Sequence, residues 1–453
     1  MDINKIPMKQ VDRIMLVMGL TLVLVALIVI LVASRGSIKK FSTRGRLKSA
    51  VTLVFTQWWQ DELEADTLAV LIREFEKRNP RIHIRLDSRT YLEIQGKALK
   101  MALAVVANKT KASSEYQNPF PGTDVLALDP RWLHELIQHE VLEPLTSYND
   151  QADFTYPVRP DAQYEAWAMP LVSFMAPLFY NIDVLQAAGF DRPPKNRTDF
   201  LRYARTITIP GTDRFGMVLS LDPEHPEDVY HEVYSWIWAS GAVMMRDGTP
   251  SFTGRPLIET LDFLGTLRHE GLLSPGSFSK TREQKLEEFC TGKAGMMIAS
   301  VHDIDFLRKR MGDTGFGITT IPGPEGYLGK PVFGLTGWYA GISRYSEHKE
   351  EAWTFISFLA ESIAAPAAKA HAVLSSGTIP PDYLRDNPLY AKVYDMYEEG
   401  EPIQEFTGVP QVRELETIAR EELYELLEAG RDAPASAEAI QQRWEAVLVG
   451  GGG

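Results

Sequence analysis

Cysteine is almost absent. Cys290 is the only one in 453 residues, which excludes disulfides within the chain and zinc sites built on cysteine. Common catalytic patterns are missing as well. His134-Glu135 is followed by histidine at 139, one position too late for two zinc ligands on one helical turn, and His231-Glu232 has no second histidine at that spacing. Ser277-Phe278-Ser279-Lys280 has acyl-enzyme spacing, but neither Ser-Asp-Asn nor Lys-Thr-Gly accompanies it. Gly329-Lys330 lacks the glycine that a phosphate loop needs five positions earlier. Glu287 and Glu288 are adjacent, so on a helix they face different directions and do not form a glycosidase pair. No nucleophile, metal site or cofactor motif remains, and binding without turnover is the expectation.

A basic body is lacking too. Nine of the 47 Lys and Arg lie in residues 1–48, with only Asp2 and Asp12 of the 60 acids, so the remainder carries 38 basic against 58 acidic residues. Nucleic-acid binding needs a basic footprint, which this body does not have. With 45% apolar and 24% charged residues, the chain is long enough to bury more than one core.

What is present begins with Ile14 to Val32, 19 uncharged residues, close to the ~20 needed to cross a bilayer and longer than the ~7–15 of a cleavable signal. The expected organisation is a cytoplasmic N-terminus (1–13), a transmembrane anchor (14–33) and a basic tether (34–49). Three basic residues precede the helix and six follow it. That bias favours a cytoplasmic body, although long domains translocate largely regardless of flanking charge.

The soluble chain reads as alternating strands and helices. Val51 to Phe55 is a strand followed by Trp58-Trp59, two indoles at a strand end that either line a ligand cleft or cap a core. Asp61 to Arg78 is an amphipathic helix stopped by Asn79-Pro80, and Ile82 to Leu86 is the next strand. Residues 107–122 form a polar loop. The strand Thr123 to Asp129 ends in an acid that either receives ligand hydroxyls or caps the following helix.

Asp228 to Ala242 is a helix dense in aromatics. Tyr230, Tyr234, Ile237 and Trp238 are not expected all to face one core, so some should point into a cleft. Gly292 to Ala299 is a buried strand followed by Val301-His302-Asp303. Pro331 to Glu361 reads as strand, a turn bearing Gly337-Trp338, a second strand, and a helix with Ala352, Phe355, Ile356 and Leu359 inward. Helices are expected over 388–399, 410–429 and 435–448, with a tail at 449–453.

Taken in order, these stretches resemble the extracellular solute-binding proteins of sugar-type ABC importers, the maltodextrin-binding-like family, over about residues 51 to 448. Carrying the resemblance are Pro331 to Glu361, Val141-Leu142-Glu143-Pro144-Leu145, Ala168-Met169-Pro170, Tyr180-Asn181, Gly292-Lys293-Ala294-Gly295-Met296 and the Ser376 to Pro381 turn.

The resemblance implies an α/β, two-lobed periplasmic-binding-protein-like (type II) fold with a hinge, here preceded by one N-terminal transmembrane helix. Lobe 1 would comprise 51–169 and 338–388, and lobe 2 171–331 and 389–448, with crossings at Met169–Leu171, at Pro331–Phe333 and near 385–390. It implies a small-molecule ligand, a mono- or oligosaccharide, and an ABC permease as partner, with the body outside the cell membrane. Ligand-binding candidates are Trp58, Trp59, Asp129, Tyr234, Trp238, His302, Gly337 and Trp338. Many members of that family carry a lipid-bearing cysteine after the apolar run, and a tryptophan that stacks on ligand commonly follows their Gly-Lys-Ala strand. Ser34 and Val301-His302 stand there in this chain, which puts the particular sugar in doubt. A binding protein that signals to a receptor and an extracytoplasmic hydrolase are the two alternatives.

Overall fold

The computed structural model describes residues 50–450, apart from 62, 64–65, 107–117, 150–166, 224–227, 247, 364–372, 375–380, 404, 407–408 and 410. The expected anchor and tether, most of the 107–122 loop, nearly all of the Ser376 to Pro381 turn and the last three residues lie outside the described residues. Among the described residues, no helix is long and apolar enough to cross a membrane. Residues 51–453 form one compact unit.

Thirteen strands are described in that unit: β1 Val51–Gln57, β2 Ile82–Ser88, β3 Val125–Leu128, β4 Met169–Met175, β5 Leu178–Asn181, β6 Phe215–Val218, β7 Met245–Arg246, β8 Thr249–Pro250, β9 Ala294–Ile298, β10 Phe316–Thr319, β11 Val332–Ile342, β12 Val373–Leu374 and β13 Glu401–Ile403. The larger sheet runs β12-β4-β11-β3-β1-β2, with β13 beside β11; a smaller one runs β10-β5-β9-β6. β1 is parallel to both β2 and β3. Parallel neighbours need a covered crossover, and the helix Thr67–Arg78 supplies it by burying Leu68, Leu71, Ile72 and Phe75.

That helix starts six residues later than its sequence suggests. Trp59–Asp61 forms a 3-10 turn, and Asp66 adopts a left-handed φ of 67°, which an α-helix interior does not accommodate. The helix at the far end runs over Ala433–Gly450, two residues into the stretch read as a tail.

Three further expectations change. Pro331 to Ile342 is not two strands around a turn: β11 is continuous, antiparallel to β4 and to β3, with a register shift between Trp338 and Tyr339. Gly337 is consequently a packing residue. A Cβ there would fall on the carbonyl oxygen of Val172 and 3.2 Å from Ser173 Cα, so the missing side chain lets two strands pair. The chain leaves the larger sheet through Ala176 and Pro177, beyond Met169–Leu171, because β4 pairs with β11 as far as Met175.

The aromatic segment also departs from simple helical spacing. Tyr230–Tyr234 is a π-turn that runs into a short α-helix, Ser235–Trp238. A π-turn closes i→i+5 hydrogen bonds and takes in one residue more than an α-helical turn. Tyr230, Tyr234, Ile237 and Trp238 all join a single core, contrary to the expectation that some would turn away from it, because positions i, i+4, i+7 and i+8 fall on one helical face.

Two hydrophobic cores are described. One holds the larger sheet and the helix Lys349–Ser362, and also takes in Phe179, Val218, Met297 and Ile318 from the smaller sheet. The other holds the π-turn segment and the helices Arg255–His269, Val412–Leu427 and Ala433–Gly450.

Candidate functional site

At the carboxyl end of β1 the 3-10 turn places Trp58 and Trp59 side by side, both buried. Trp59 stacks on Trp338 with centroids 5.1 Å apart, and Phe174 meets Trp338 edge-on at 5.3 Å. His302, in the turn after β9, approaches Phe174 edge-on at 6.2 Å. Trp58 packs against Trp132 and Tyr91, each at 5.4 Å. Five of the expected residues, Trp58, Trp59, His302, Gly337 and Trp338, thus belong to one aromatic layer or its backing strand. Tyr234 and Trp238 sit in a second aromatic group with Tyr230, Phe406 and Trp444.

Between the two groups lies a polar cluster whose centre the sequence reading passed over. Asp129 caps the 3-10 turn Pro130–Trp132, accepting from the Arg131 backbone N–H at 2.9 Å. Its carboxylate also receives Arg131 Nε at 3.1 Å, Arg131 Nη2 at 3.1 Å and the Tyr91 hydroxyl at 3.1 Å. The Arg131 guanidinium lies 5.5 Å from the Tyr230 ring centre and 3.5 Å from Glu416, on the helix Val412–Leu427. Burial opposes the charge on Arg131, yet Asp129, with Tyr91 and Glu416, outweighs it and holds the guanidinium above its ordinary pKa.

The second group is buried and mostly neutral. Burial, with Arg131 and Lys285 adding to it, pushes His231 down to about 3, so it is an uncharged imidazole at pH 7. Tyr234 is held well above its usual range by burial and by the carboxylates of Glu416 and Glu405. Glu405 accepts from Trp238 Nε1 at 2.7 Å and from the Met245 backbone N–H, and burial raises it to about 6.

Trp238 is therefore tied through its N–H to a buried carboxylate. Trp238→Phe should cost about 1–3 kcal/mol by leaving that acceptor short of a donor, measured as a lower urea midpoint.

Four buried polar atoms in these groups have no hydrogen-bond partner among the described residues: Trp59 Nε1, Trp132 Nε1, His231 Nδ1 and Tyr234 Oη. Buried polar atoms of native proteins are usually satisfied by something. Here two such atoms come from the larger sheet's side and two from the π-turn.

Arg131, Glu416, Tyr91 and Trp132 were missed as site residues. Asp129-Pro130-Arg131-Trp132 could have flagged Arg131 by adjacency. Nothing in the sequence connects it to Glu416. The acyl-enzyme-like spacing resolves into structure, since Lys280 Nζ pairs with Glu288 at 2.6 Å and donates to Ser274 at 2.8 Å.

Comparison with known proteins supplies the family. Residues 55–365 match the family described as bacterial extracellular solute-binding protein. A putative binding protein of Brucella abortus strain 2308 is 29% identical over 245 residues, 52% of this chain and 58% of that protein, so the match spans little more than half of the curated relative.

Among solved structures, the sugar-binding protein MalE of Xanthomonas citri aligns with a TM-score of 0.70 at 20% identity, covering 88% of this chain and 97% of that one. The GacH receptor of Streptomyces glaucescens aligns at 0.70 and 16%, covering 88% and 99%. UgpB of Mycobacterium tuberculosis aligns at 0.69 and 18%, covering 88% and 98%. These likenesses establish the two-lobed α/β fold. With more than half its length matched by the family model, the chain belongs to the bacterial extracellular solute-binding proteins.

Proposed function

We propose that this protein is the membrane-anchored, extracytoplasmic solute-binding component of an ABC importer, which closes on a carbohydrate between its lobes and hands it to a permease. The observation that carries this reading is the meeting of two aromatic groups, one from each side, around Arg131. Flat rings stack on the CH faces of sugars, and unspent N–H and O–H groups beside them can take up hydroxyls.

Similar folds come from proteins described as bound to maltose, acarbose and ribitol, and one is described in complex with glycerophosphocholine. The anchor rests on the apolar run Ile14 to Val32, and the role is binding without chemical turnover.

Calorimetric titration of the full-length protein in detergent with neutral mono- and oligosaccharides, polyols, glycerophosphodiesters, peptides and polyamines tests the ligand class. Heat with at least one sugar is expected. Silence with every sugar, together with heat from a peptide or polyamine, would overturn it. A reporter active only outside the cytoplasm, fused after Gly453, should be active; a silent fusion would reverse the placement.

A further inference from the structure

We propose that Arg131 is the residue that latches the two lobes together without any ligand, and that Asp129 and Tyr91 are positioning residues that aim it. The proposal rests on the two-lobed, hinged reading above, but not on the ligand being a sugar.

A carboxylate offers about four acceptor positions. Asp129 fills four with donors from its own side: the Arg131 backbone N–H, Arg131 Nε, Arg131 Nη2 and the Tyr91 hydroxyl. Arg131 Nη2 in turn donates to the Tyr91 oxygen at 2.7 Å. Two of the three guanidinium nitrogens are thereby committed within the larger sheet's side, which fixes the plane of the group. The third, Nη1, faces Glu416 Oε1 at 3.5 Å.

Glu416 and Tyr230 belong to the other core. Glu416 lies on the helix whose Leu415, Ile418 and Ala419 pack there, and Tyr230 opens the π-turn. If the lobes part, Asp129, Tyr91 and Arg131 move as one body and keep their mutual bonds. The contacts to Glu416 and to the Tyr230 face are the ones given up to water.

They are also made where water is scarce, since the Arg131 and Glu416 side chains are 11% and 4% exposed. Closing without Glu416 would leave Nη1 N–H groups dehydrated and facing no carboxylate. An interaction present only in the closed form shifts the equilibrium toward it.

The test is made on ligand-free, full-length protein. Cys290 is replaced by serine, and spin labels are placed at Val70→Cys and Ile209→Cys, both exposed, one on the helix over β1 and β2 and one ahead of β6. The interlabel distance distribution is then recorded by pulsed dipolar spectroscopy.

The parent should show a dominant short distance. Glu416→Met should lower the ratio of short to long distances about tenfold or more, as expected when one partner of a buried charge contact is removed. Glu416→Gln, which keeps an acceptor, should recover part of that loss, and Arg131→Met should open the protein as well.

A Glu416→Met protein that melts cooperatively and gives the parent's distribution overturns the latch, as does a parent with no short population. Should Glu416→Met fail to fold, Glu416→Gln decides, and an unshifted distribution there overturns it. A protein that opens on these changes yet binds no sugar keeps the latch and loses the sugar reading, so the two failures are distinguishable.

Discussion

Replacing Gly337 by valine is expected to destabilise the protein by about 3 kcal/mol, read as a lower urea midpoint at unchanged slope. A side chain at this position would collide with the main chain of β4 at Val172 and Ser173. Backbone cannot rotate away as a side-chain tip can. β11 and β4 must separate, and β11 is the strand that joins β4 to β3 in the larger sheet.

The sequence favoured another role, a bare backbone that a ligand could approach. That role predicts a valine variant of full stability with reduced ligand affinity, and finding one would restore it. Gly334, three residues earlier, makes a useful contrast. A Cβ there would strike the Trp238 and Tyr230 rings rather than main chain, so alanine at Gly334 should cost less than valine at Gly337.

The two glycines illustrate which parts of the fold could be read in advance. The helices over Pro388–Glu399, Val412–Leu427 and Ala433–Gly450 lie within two residues of their expected positions, because periodicity and caps are local signals. Thr281, for example, forms a reciprocal capping box with Gln284. The family was legible for a related reason, since the order of short strand and turn signals survives even where each one is weak.

Strand pairing was not legible. Gly337-Trp338 looks like a turn because glycine beside an indole suits one, whereas the close approach of β4 that requires the glycine comes from residues about 165 positions earlier. The π-turn is hidden likewise, because a π-turn carries no composition of its own and Tyr230 to Trp238 reads as plain helix; only the i→i+5 bonding of Tyr230–Tyr234 distinguishes it.

The site divides in the same way. The aromatic residues announced themselves by type and place, and Trp58, Trp59 and Trp338 do meet. The charges did not. Asp129 could be singled out as an acid at a strand end, but its carboxylate is filled by Arg131 and Tyr91. The polar group that reaches the opposite side is therefore Arg131, and its counterpart Glu416 sits within an ordinary amphipathic helix. Pairings between distant charges leave no local trace.

Replacing Lys285 by methionine is expected to cost about 3–5 kcal/mol at pH 8, because it strands a buried carboxylate. Lys285 Nζ pairs with Glu232 on the π-turn and donates to the Ile298 carbonyl at 2.8 Å; both side chains are almost wholly buried. Burial, opposed by Lys285 and aided by Asp228, raises Glu232 to about 7, and losing the ammonium raises it further.

The pH dependence follows from that direction. A carboxyl whose folded pKa exceeds its unfolded value favours folding in its protonated form. The associated stability is full below the unfolded pKa, about 4.3, and is lost as pH rises through the folded one. The gap between Lys285→Met and the parent should therefore narrow as pH falls from 8 toward about 7, where only the variant takes up the proton, and level off from there to pH 5, where the parent's Glu232 protonates as well, measured as urea midpoints at each pH.

The neighbouring His231, held neutral by burial, destabilises both proteins on acidification in the same sense, so it largely cancels in the difference. Adding Glu232→Gln to Lys285→Met should remove most of the pH dependence and recover much of the stability, since a neutral amide costs far less to bury than a lone carboxylate. A gap of equal size at pH 5 and pH 8 would mean that Lys285 acts by packing its stem, and that the charge on Glu232 is compensated from elsewhere.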